Sequence, residues 1–445
     1  MSNEELLKKV RDAGVIGAGG AGFPTYVKLN AQVDCIIANG AECEPLLYKD
    51  RECMIQGREA MIRGLEIMQE LTGAKRVVIA VKKKNEDVLD AYAEDFKRTG
   101  FESFVYPDVY PAGDEYVLVY EITGKRIPPG GLPLHVGCIV DNVETIVNVA
   151  LAVDGDSVTQ KYVTVTGEVA NPITTTFPVG TTFRDCIEAA GGLTTDNPTV
   201  LTGGVMMGGC ETDLDLPVTK ALGGLIVLPS DHYLARRKGE PKETYQRVGH
   251  GQCDQCSMCT ELCPRYIMGY PIEPHRVMRT LLMTGEEKAR VSMWAQYCCE
   301  CNVCTYIACP ESLDPKNICV DSKALLREQD IGRSEVELET LFRDVHPARK
   351  GREIPIQKLY TRLGLRPYDK KAPWAAGKPS GAKVKIPLDT HVGPPAKASV
   401  SVGDAVKSGD VVGTVADDAL GCPVHASVSG TVAEIAETAV ILSVN

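Results

Sequence analysis

The sequence has 445 residues, 44% of them hydrophobic and 42 of them glycine, which is enough for about three or four compact, turn-rich domains. Its formal net charge of −11 argues against nucleic acid or an anionic membrane as the main partner. No apolar run approaches the roughly 20 residues of a membrane span, and no secretory signal opens the chain. The composition therefore predicts a cytoplasmic protein whose thiols stay reduced.

The first 152 residues alternate helical patterns with apolar strands. The expected elements are a helix at 4–13, strands at 34–38 and 76–81, and helices at about 53–71 and 86–98. This alternation predicts a parallel sheet flanked by helices. The polar residues Asn39, Glu42 and Glu44 follow the first strand, which is where sheets of this kind place their ligands.

A glycine-rich segment between the first helix and the first strand can bring backbone N–H groups close to a ligand. Gly17, Gly19, Gly20 and Gly22 allow the backbone to turn tightly around a phosphate or a flat ring. A purely structural loop is the alternative interpretation. The segment is not the Rossmann dinucleotide fingerprint, because no apolar strand precedes it.

Residues 153–232 have the pattern of a second unit. Residues 162–167 alternate at a period of two, as a half-buried strand does, and residues 182–192 have the pattern of a capped helix that ends in glycine. A strand hairpin, a helix and later strands together predict a β-grasp domain. A scaffolding role and the binding of a soluble ligand are both open for this unit.

Nine of the 17 cysteines lie in residues 253–309, in two runs that each end in a Cys-Pro pair. A [4Fe-4S] cluster needs four thiolates, and in two-cluster ferredoxins the last cysteine of one run binds the cluster of the other run. The spacing therefore predicts two clusters. Their expected ligands are Cys253, Cys256, Cys259 and Cys309 for one, and Cys298, Cys301, Cys304 and Cys263 for the second.

Some alternatives stay open at this site. Paired cysteines also bind structural zinc, although a third cysteine in register and a trailing Cys-Pro in both runs favour clusters. The second run has four residues between Cys304 and Cys309, where three are usual. Cys299 directly follows Cys298, so either of these two could be the ligand.

The last part of the chain changes in composition. Residues 368–381 are rich in Lys, Pro, Ala and Gly, which is typical of a linker. Residues 382–445 show short strand patterns joined by Gly-Asp turns, which predict a small barrel-sandwich hybrid similar to lipoyl and biotinyl carriers. Those carriers present a modifiable lysine at a hairpin tip, whereas residues 424–427 here are Val-His-Ala-Ser. We therefore expect a docking or structural module.

Four motifs in the first unit carry a resemblance to a known family. They are G-x-G-G-A-G-F-P-T from Gly17, N-G-A-E-x-E-P-x3-K-D-R from Asn39, Y-P-x-G-D-E from Tyr110 and D-N-V-E-T from Asp141. In this order they resemble the flavin- and NADH-binding subunit of respiratory complex I, and more closely the C subunit of Rnf complexes. The second unit is similar to the SLBB domain of the same proteins.

This resemblance implies a multidomain α/β and α+β fold. The implied domains are an FMN- and NADH-binding domain at 1–152, an SLBB β-grasp domain at 153–232, a helical two-[4Fe-4S] ferredoxin domain at 240–350, a linker at 368–381 and a barrel of the RnfC type at 382–445. FMN, NADH and two [4Fe-4S] clusters are the implied cofactors.

The resemblance also implies roles for single residues. The glycines of the first motif would line the phosphate and nucleotide region of FMN: Gly17, Gly19, Gly20 and Gly22. The isoalloxazine and ribityl chain would be held by Asn39, Glu42, Gly113, Asp114 and Asn142. NADH would stack on or hydrogen-bond to Phe23, Lys28, Glu44 and Glu115, with the two glutamates as catalytic candidates. Ala41 stands where the complex I protein has an aspartate, so that carboxylate contact with the flavin would be missing.

The domain order narrows the family. A chain with the flavin domain first and the barrel last is similar to the cobalamin reductases of propanediol-utilisation microcompartments. The Rnf proteins instead carry their barrel at the amino end. This implies NADH-dependent reduction of cob(III)alamin to cob(II)alamin and cob(I)alamin for reactivation of a B12-dependent diol dehydratase. It also implies an adenosyltransferase and shell proteins as partners inside a microcompartment. The alternatives are a soluble adaptor that passes electrons to ferredoxin or another redox protein, and a scaffold that does not oxidise NADH.

Overall fold

The computed structural model of the chain describes residues 1–377 and 381–444. Across these ranges the chain forms a helix-flanked sheet, a mixed sheet, a group of short helices and two small C-terminal sheets, in that order. The predicted α/β and α+β fold class is thereby confirmed. None of the helices in the described part is long and apolar enough to cross a lipid bilayer.

The N-terminal unit is built on a parallel sheet, as the alternating pattern predicts. Its strands are β1 (Cys35–Gly40), β2 (Arg76–Lys82), β3 (Glu102–Tyr106), β4 (Val109–Tyr110) and β5 (Cys138–Asn142). Its helices are α1 (Asn3–Asp12), α2 (Thr25–Leu29), α3 (Lys49–Gln56), α4 (Arg58–Thr72), α5 (Ala93–Thr99), α6 (Glu115–Thr123) and α7 (Val143–Asp154), with 3-10 helices at Lys83–Tyr92 and Pro133–Val136. The strand order is β3-β2-β1-β5, and each of these pairs is parallel.

Both faces of this sheet are buried, which explains its nearly continuous apolar strands. Ile36 and Ala38 pack in one core with α4 and α7, and Ile37 packs on the opposite face with α6. The single helix predicted at about 53–71 is divided at Gly57, where a Cβ would lie 3.1 Å from Val147. The predicted helix at 86–98 begins as a 3-10 helix and continues as α5.

The strand order creates a crevice at the carboxyl end of β1. The chain leaves β1 toward β2 and β3 on one side, and returns to the other side with β5. Asn39 on β1 and Asn142 at the end of β5 are direct partners in the strand register. Because neighbouring connections leave in opposite directions here, this edge is the switch point where parallel sheets bind ligands.

The second unit has the mixed sheet expected of a β-grasp fold. Its elements are β6 (Gln160–Gly167), β7 (Ile173–Pro178), α8 (Phe183–Ala189), β8 (Pro198–Thr202), β9 (Gly209–Glu211) and β10 (Gly224–Pro229). The strand order is β7-β6-β10-β8-β9, and only β6 and β10 are parallel. The Thr182 side chain accepts a hydrogen bond from the Asp185 N–H and so caps α8. Val163, Val165 and Phe177 pack beneath this helix.

The third unit consists of short helices around the cysteines. It contains α9 (Tyr233–Lys238), α10 (Lys242–Gln252), α11 (Met258–Glu261), α12 (Pro264–Ile267), α13 (Pro274–Val277), α14 (Gly285–Ser292), α15 (Pro315–Glu328), α16 (Glu335–Leu341), β11 (Ile354–Pro355) and α17 (Ile356–Arg362). Further 3-10 helices lie at Met278–Leu282, Met293–Ala295, Lys350–Arg352 and Arg366–Tyr368. β11 pairs with β4, which attaches this unit to the N-terminal one.

The C-terminal unit is a barrel-sandwich of two small sheets. Its strands are β12 (Lys383–Pro387), β13 (Lys397–Ala398), β14 (Ala405–Val406), β15 (Val411–Thr414), β16 (Val424–His425), β17 (Gly430–Ala436) and β18 (Ala439–Val444). The barrel packs against the glycine-rich loop, since the Val392 N–H donates to the Gly22 carbonyl at 3.0 Å. Gly22 has a φ of 64°, and a Cβ there would lie 2.6 Å from the Thr390 carbonyl oxygen.

The predicted linker at 368–381 is packed against the protein in its described part. The Thr174 N–H donates to the Pro373 carbonyl at 3.0 Å, and the Ala375 N–H donates to the Thr174 carbonyl at 2.9 Å. The segment therefore adds a short strand-like edge to β7, which composition does not reveal. Residues 378–380 of the predicted linker lie outside the described residues.

Candidate functional site

A cavity of about 670 Å³ lies at the crevice between β1 and β5. Its walls come from the glycine-rich loop, the ends of both strands, residues 113–115, loops of the β-grasp unit and residues next to the cysteine runs. The structure brings nine of the predicted flavin and NADH residues to this cavity: Gly19, Gly20, Asn39, Glu42, Glu44, Gly113, Asp114, Glu115 and Asn142.

Four other predicted residues lie behind the cavity wall. Gly17 and Gly22 close the glycine-rich loop: the Gly17 N–H donates to the Phe23 carbonyl at 2.9 Å, and the Gly22 N–H donates to the Gly17 carbonyl at 3.2 Å. Phe23, the next residue after Gly22, has a half-buried side chain. Lys28 forms an ion pair of 2.8 Å with Asp141. These residues shape the loop and its support.

The two glycines of the glycine-rich loop that line the cavity, Gly19 and Gly20, are required by close approach and by backbone geometry. A Cβ on Gly19 would lie 3.2 Å from the Cβ of Asn142, tighter than ordinary van der Waals contact. Gly20 has a φ of 118°, a conformation that L side chains rarely adopt. The loop can therefore present bare backbone to a ligand.

A buried network of charged residues underlies the cavity. Lys49 Nζ lies 2.8 Å from Asp50 Oδ1 and 3.3 Å from Glu144 Oε2, and Lys161 also donates to Glu144. Asn142 donates to Asp50 Oδ1 at 2.9 Å. Burial works to lower the pKa of Lys49, but Asp50 and Glu144 outweigh it and raise that pKa. Burial lowers the pKa of Lys161 to about 8. Lys49 thus keeps a positive charge at the cavity wall.

Two predicted carboxylates are engaged inside the protein. The Glu44 oxygens accept hydrogen bonds from the N–H groups of Met206 and Met207, both at 2.8 Å, and so join the first unit to the second. Glu42 accepts from the Asp50 N–H at 2.8 Å. Burial raises the pKa of both glutamates. Their oxygens serve first to hold the cavity wall in place.

Glu115 differs from these two. It lies in the first turn of α6, lines the cavity, and has no hydrogen-bond partner for its carboxylate among the described residues. Burial raises its pKa, and the neighbouring charge of Asp114 raises it further. Of the three predicted glutamates, Glu115 has the carboxylate that is available to a ligand.

The first predicted cysteine quartet surrounds one small pocket. Cys253, Cys256, Cys259 and Cys309 all line it, with Cys256 exposed and the last two buried. The Sγ of Cys309 accepts from the Leu313 N–H at 3.3 Å. Hydrogen bonds of this kind to cysteine sulfur are among the features that set cluster potentials.

The structure also brings Cys263 of the first run to the cysteines of the second. Burial raises the pKa of the Cys263 thiol, and neighbouring Cys299 and Cys298 raise it further. Burial likewise raises the pKa of Cys304, with Cys298 and Cys263 among the thiols that add to the rise. Cys263 therefore lies near cysteines of the second run, and Cys309 lines the pocket of the first run, which is the arrangement that the predicted exchange requires.

The backbone of the two runs repeats with an offset of 45 residues. Gln255 and Ser257 have left-handed φ values of 57° and 63°, and Glu300 and Asn302 have φ values of 59° and 62°. This register aligns Cys298, and not Cys299, with Cys253. The Glu300 N–H also donates to the Sγ of Cys298 at 3.4 Å.

The longer spacing in the second run has a structural explanation. Residues Cys304–Ala308 form a π-helical turn, in which the Cys309 N–H donates to the Cys304 carbonyl at 3.0 Å. In the first run the Cys263 N–H donates to the Thr260 carbonyl at 3.0 Å, which is a tighter turn. Because the π turn closes from residue i to i−5, and the turn of the first run from i to i−3, the π turn has room for the extra residue.

The cavity and the second cysteine group are in direct contact. Cys299 and Cys301 lie in the cavity wall together with the buried Arg265, which follows Cys263-Pro264. Sequence reasoning assigned no role to Lys49, Asp50 or Arg265. Lys49 and Asp50 belong to the K-D-R end of the second motif, which was the available signal, whereas only the fold brings Arg265 here.

The fold and site define a flavin- and iron–sulfur-containing electron-transfer protein. Family models match the Nuo51 FMN-binding domain at residues 10–151, the SLBB domain at 162–208, a 4Fe-4S dicluster domain at 252–314 and the RnfC barrel sandwich hybrid domain at 364–444. FMN and [4Fe-4S] clusters are thereby confirmed as the cofactors, and the zinc interpretation is set aside.

Near full-length relatives make the assignment more specific. The chain is 41% identical to the cobalamin reductase PduS of Salmonella typhimurium, over 99% of this chain and 96% of that protein. It is 40% identical to PduS of Citrobacter freundii, over 98% and 96%. A component of the Na⁺-translocating ferredoxin:NAD⁺ oxidoreductase complex of Acetobacterium woodii is 32% identical over 60% of this chain and 59% of that protein. The chain belongs to the PduS cobalamin reductase family.

A solved structure shares the fold. A chain of the NAD⁺-reducing [NiFe]-hydrogenase in its H2-reduced state superposes with a TM-score of 0.51 at 24% identity, covering 77% of this chain and 63% of that chain. The confirmed FMN also fits the cavity observed here. Gly19 and Gly20 leave space for a ligand, Lys49 supplies a cation, and the N-terminus of α7 begins at the cavity with Asn142 as its cap.

Proposed function

We propose that the protein is an NADH-dependent oxidoreductase that reduces cob(III)alamin to cob(II)alamin and cob(I)alamin. The near full-length identity to proteins named cobalamin reductase supports the substrate. The observation that carries the electron-transfer role is the contact between the cavity and the second cysteine group, through Cys299 and Cys301. When bound, FMN would accept one hydride, which is two electrons with one proton, and would release the electrons one at a time, which is the form that clusters accept.

Different residues of the cavity bind different parts of FMN in this proposal. Gly19 and Gly20 present backbone to the FMN phosphate, and the Lys49 cation and the N-terminus of α7 favour the same anion. Gly17 and Gly22 hold that loop closed. The isoalloxazine and ribityl chain would be held by Asn39, Glu42, Gly113, Asp114 and Asn142, which all line the cavity.

NADH enters beside Glu115, whose free carboxylate orients its hydroxyl or amide groups. Phe23 and Lys28 support this side of the loop, and Glu44 keeps the β-grasp unit against it through Met206 and Met207. Glu44 is thus a positioning residue.

Two clusters complete the path, and the fold supports an order for them. Cys263, Cys298, Cys301 and Cys304 hold the cluster next to the cavity, and Cys253, Cys256, Cys259 and Cys309 hold the outer one. The exposure of Cys256 supports access of an acceptor to this outer cluster. We propose the domain boundaries 1–152 for the flavin domain, 153–232 for the β-grasp domain, 240–350 for the cluster domain and 382–445 for the barrel. Residues 368–381 would connect the last two.

The deciding experiment uses the full chain, reconstituted anaerobically with FMN and clusters. NADH is mixed in by stopped flow while flavin and cluster absorbance are followed, and aquocobalamin is then added. Rapid bleaching followed by reoxidation, with cob(I)alamin formed, is expected. Bleaching without reaction with cobalamin would favour the adaptor that donates to a ferredoxin or another redox protein. Absence of bleaching would refute NADH as the donor.

The same proposal includes the biological setting. A cobalamin adenosyltransferase and microcompartment shell proteins are the proposed partners, and the interior of a bacterial microcompartment is the proposed location. Purified microcompartments should contain the protein at a constant ratio to shell proteins, and its absence from them would refute this placement.

A further inference from the structure

A buried arginine lies in the cavity wall beside the second cysteine group. Arg265 follows Cys263-Pro264 directly and lies in the short helix α12. Its side chain is only 10% exposed, and it lines the cavity together with Cys299 and Cys301. The chain therefore places a permanent cation where the cavity and the second cysteine group meet, at a buried position where few charges could be tolerated without a partner.

The contacts of Arg265 fix its position tightly. Its Nε and Nη2 atoms lie 3.0 and 2.9 Å from Oδ2 of Asp114, and its guanidinium carbon lies 3.5 Å from the ring centre of Tyr116. The other Asp114 oxygen, Oδ1, accepts from the Tyr116 N–H at 2.9 Å and so caps α6. One carboxylate thus joins the cavity segment to the cysteine-bearing unit.

These contacts need the shape of arginine as well as its charge. A planar guanidinium can pair with a carboxylate and stack on an aromatic ring at the same time, whereas a lysine ammonium is a point charge that can do only the first. We expect lysine at this position to keep the charge but to lose part of the fixed geometry.

We propose that Arg265 is a positioning residue that locks the cavity loop against the cluster unit and favours reduction of the flavin and of the adjoining cluster by its positive charge. The inference rests on the proposed arrangement of FMN beside the second cysteine group. An added electron brings negative charge into a site of low dielectric constant, and a fixed nearby cation stabilises it. Removal of the cation should therefore shift both midpoint potentials to more negative values.

The partner carboxylate gives a prediction of opposite sign. Arg265→Gln removes one positive charge and leaves Asp114 buried and unpaired. Asp114→Asn removes one negative charge and leaves the cation in place. The first variant should lower the potentials and the second should raise them, while the double variant should lie near the wild type. A purely structural role would give no such reversal of sign.

Arg349 provides a matched control. Its side chain is also 10% exposed, pairs with Glu121 of α6, and lies over the Tyr120 ring at 5.3 Å. It thus attaches the same helix to the same unit, but it does not line the cavity. Arg349→Gln should lower the melting temperature as Arg265→Gln does and leave the potentials unchanged.

The test is a redox titration of the reconstituted full chain, with flavin followed by absorbance and clusters by EPR. Lower potentials in Arg265→Gln, higher potentials in Asp114→Asn and retained potentials in Arg265→Lys and Arg349→Gln are expected. Equal shifts in Arg265→Gln and Arg349→Gln, or shifts of the same sign in the Arg265 and Asp114 variants, would overturn the inference. If Arg265→Gln does not fold, Asp114→Asn and Arg265→Lys still decide. Because neither NADH nor cobalamin is used, failure of the proposed reaction would be seen separately.

Discussion

The choice between Cys298 and Cys299 as a cluster ligand can be decided by substitution. The 45-residue repeat of left-handed positions aligns Cys298 with Cys253, and the Glu300 N–H donates to the Cys298 sulfur at 3.4 Å. Cys299 lies outside this register and lines the cavity, as Cys301 also does. We expect Cys298→Ser to remove the cluster next to the cavity and Cys299→Ser to keep both clusters.

The size of the effect follows from the two ligand sets. Two cubanes hold about eight iron and eight sulfide ions per chain, and loss of one leaves about four of each. The thiol of Cys319 is the main cause of the lowered pKa of Cys298, so the two side chains lie close together. A neighbouring thiol could therefore replace Cys298 as a ligand. The triple variant with serine at 298, 299 and 319 removes these replacements and so sets the lower limit of iron content.

The assay is iron and sulfide analysis with EPR of the dithionite-reduced protein. Two interacting cluster signals should become one in Cys298→Ser and in the triple variant. Cys319→Ser, which changes a buried cysteine outside both runs, is the matched control and should keep about eight irons. The reasoning from backbone register would be refuted by the opposite result. In that case Cys299→Ser loses a cluster, whereas Cys298→Ser and the double variant Cys298→Ser/Cys319→Ser both keep full iron.

Three further predictions concern the cavity, a contact between units and a buried lysine. Gly19→Ala places a Cβ 3.2 Å from Asn142 and should weaken FMN binding about tenfold in a fluorescence titration, whereas Gly351→Ala, which meets open space, should not. Glu44→Ala leaves the N–H groups of buried Met206 and exposed Met207 without their acceptor and should lower the free energy of unfolding in urea by about 1–3 kcal/mol; unchanged stability would contradict this contact. Burial lowers the pKa of Lys220 from its usual 10.5 to about 8, so the unfolded chain binds more protons between these values. Relative to Lys220→Met, the wild type should therefore gain stability on the order of 3 kcal/mol from pH 8 to 10.5, and a difference in melting temperature that does not change with pH would refute this.

The location of the cavity could be predicted from the sequence because it depends on strand order and motif order. Asn39 and Asn142 are 103 residues apart, yet both end parallel strands, and the carboxyl ends of parallel strands share one edge of a sheet. The glycine-rich loop precedes the first strand and reaches the same edge. These are rules of chain topology, so a motif can be placed without knowledge of side-chain contacts.

The partner of each carboxylate could not be predicted in the same way. Glu42 and Glu44 stand two residues apart in one motif, but Glu42 accepts from the nearby Asp50 N–H while Glu44 reaches Met206 and Met207 in another unit. A pattern gives the residue type and its approximate place. Whether a buried carboxylate binds a ligand or the protein's own N–H groups depends on the loop packed against it.

The spacing of the second cysteine run shows what a linear pattern leaves undetermined. Counted along the chain, the extra residue between Cys304 and Cys309 could displace the last cysteine from its cluster. In the fold it is contained within one π-helical turn, and Cys309 still lines the pocket of the first quartet. Deletion of one residue from 305–308 should therefore be harmful, because a tighter turn would rotate Cys309 away from Cys253, Cys256 and Cys259. Iron analysis of such a deletion should show loss of the outer cluster, and full retention of iron would mean that the turn can re-form around the shorter spacing.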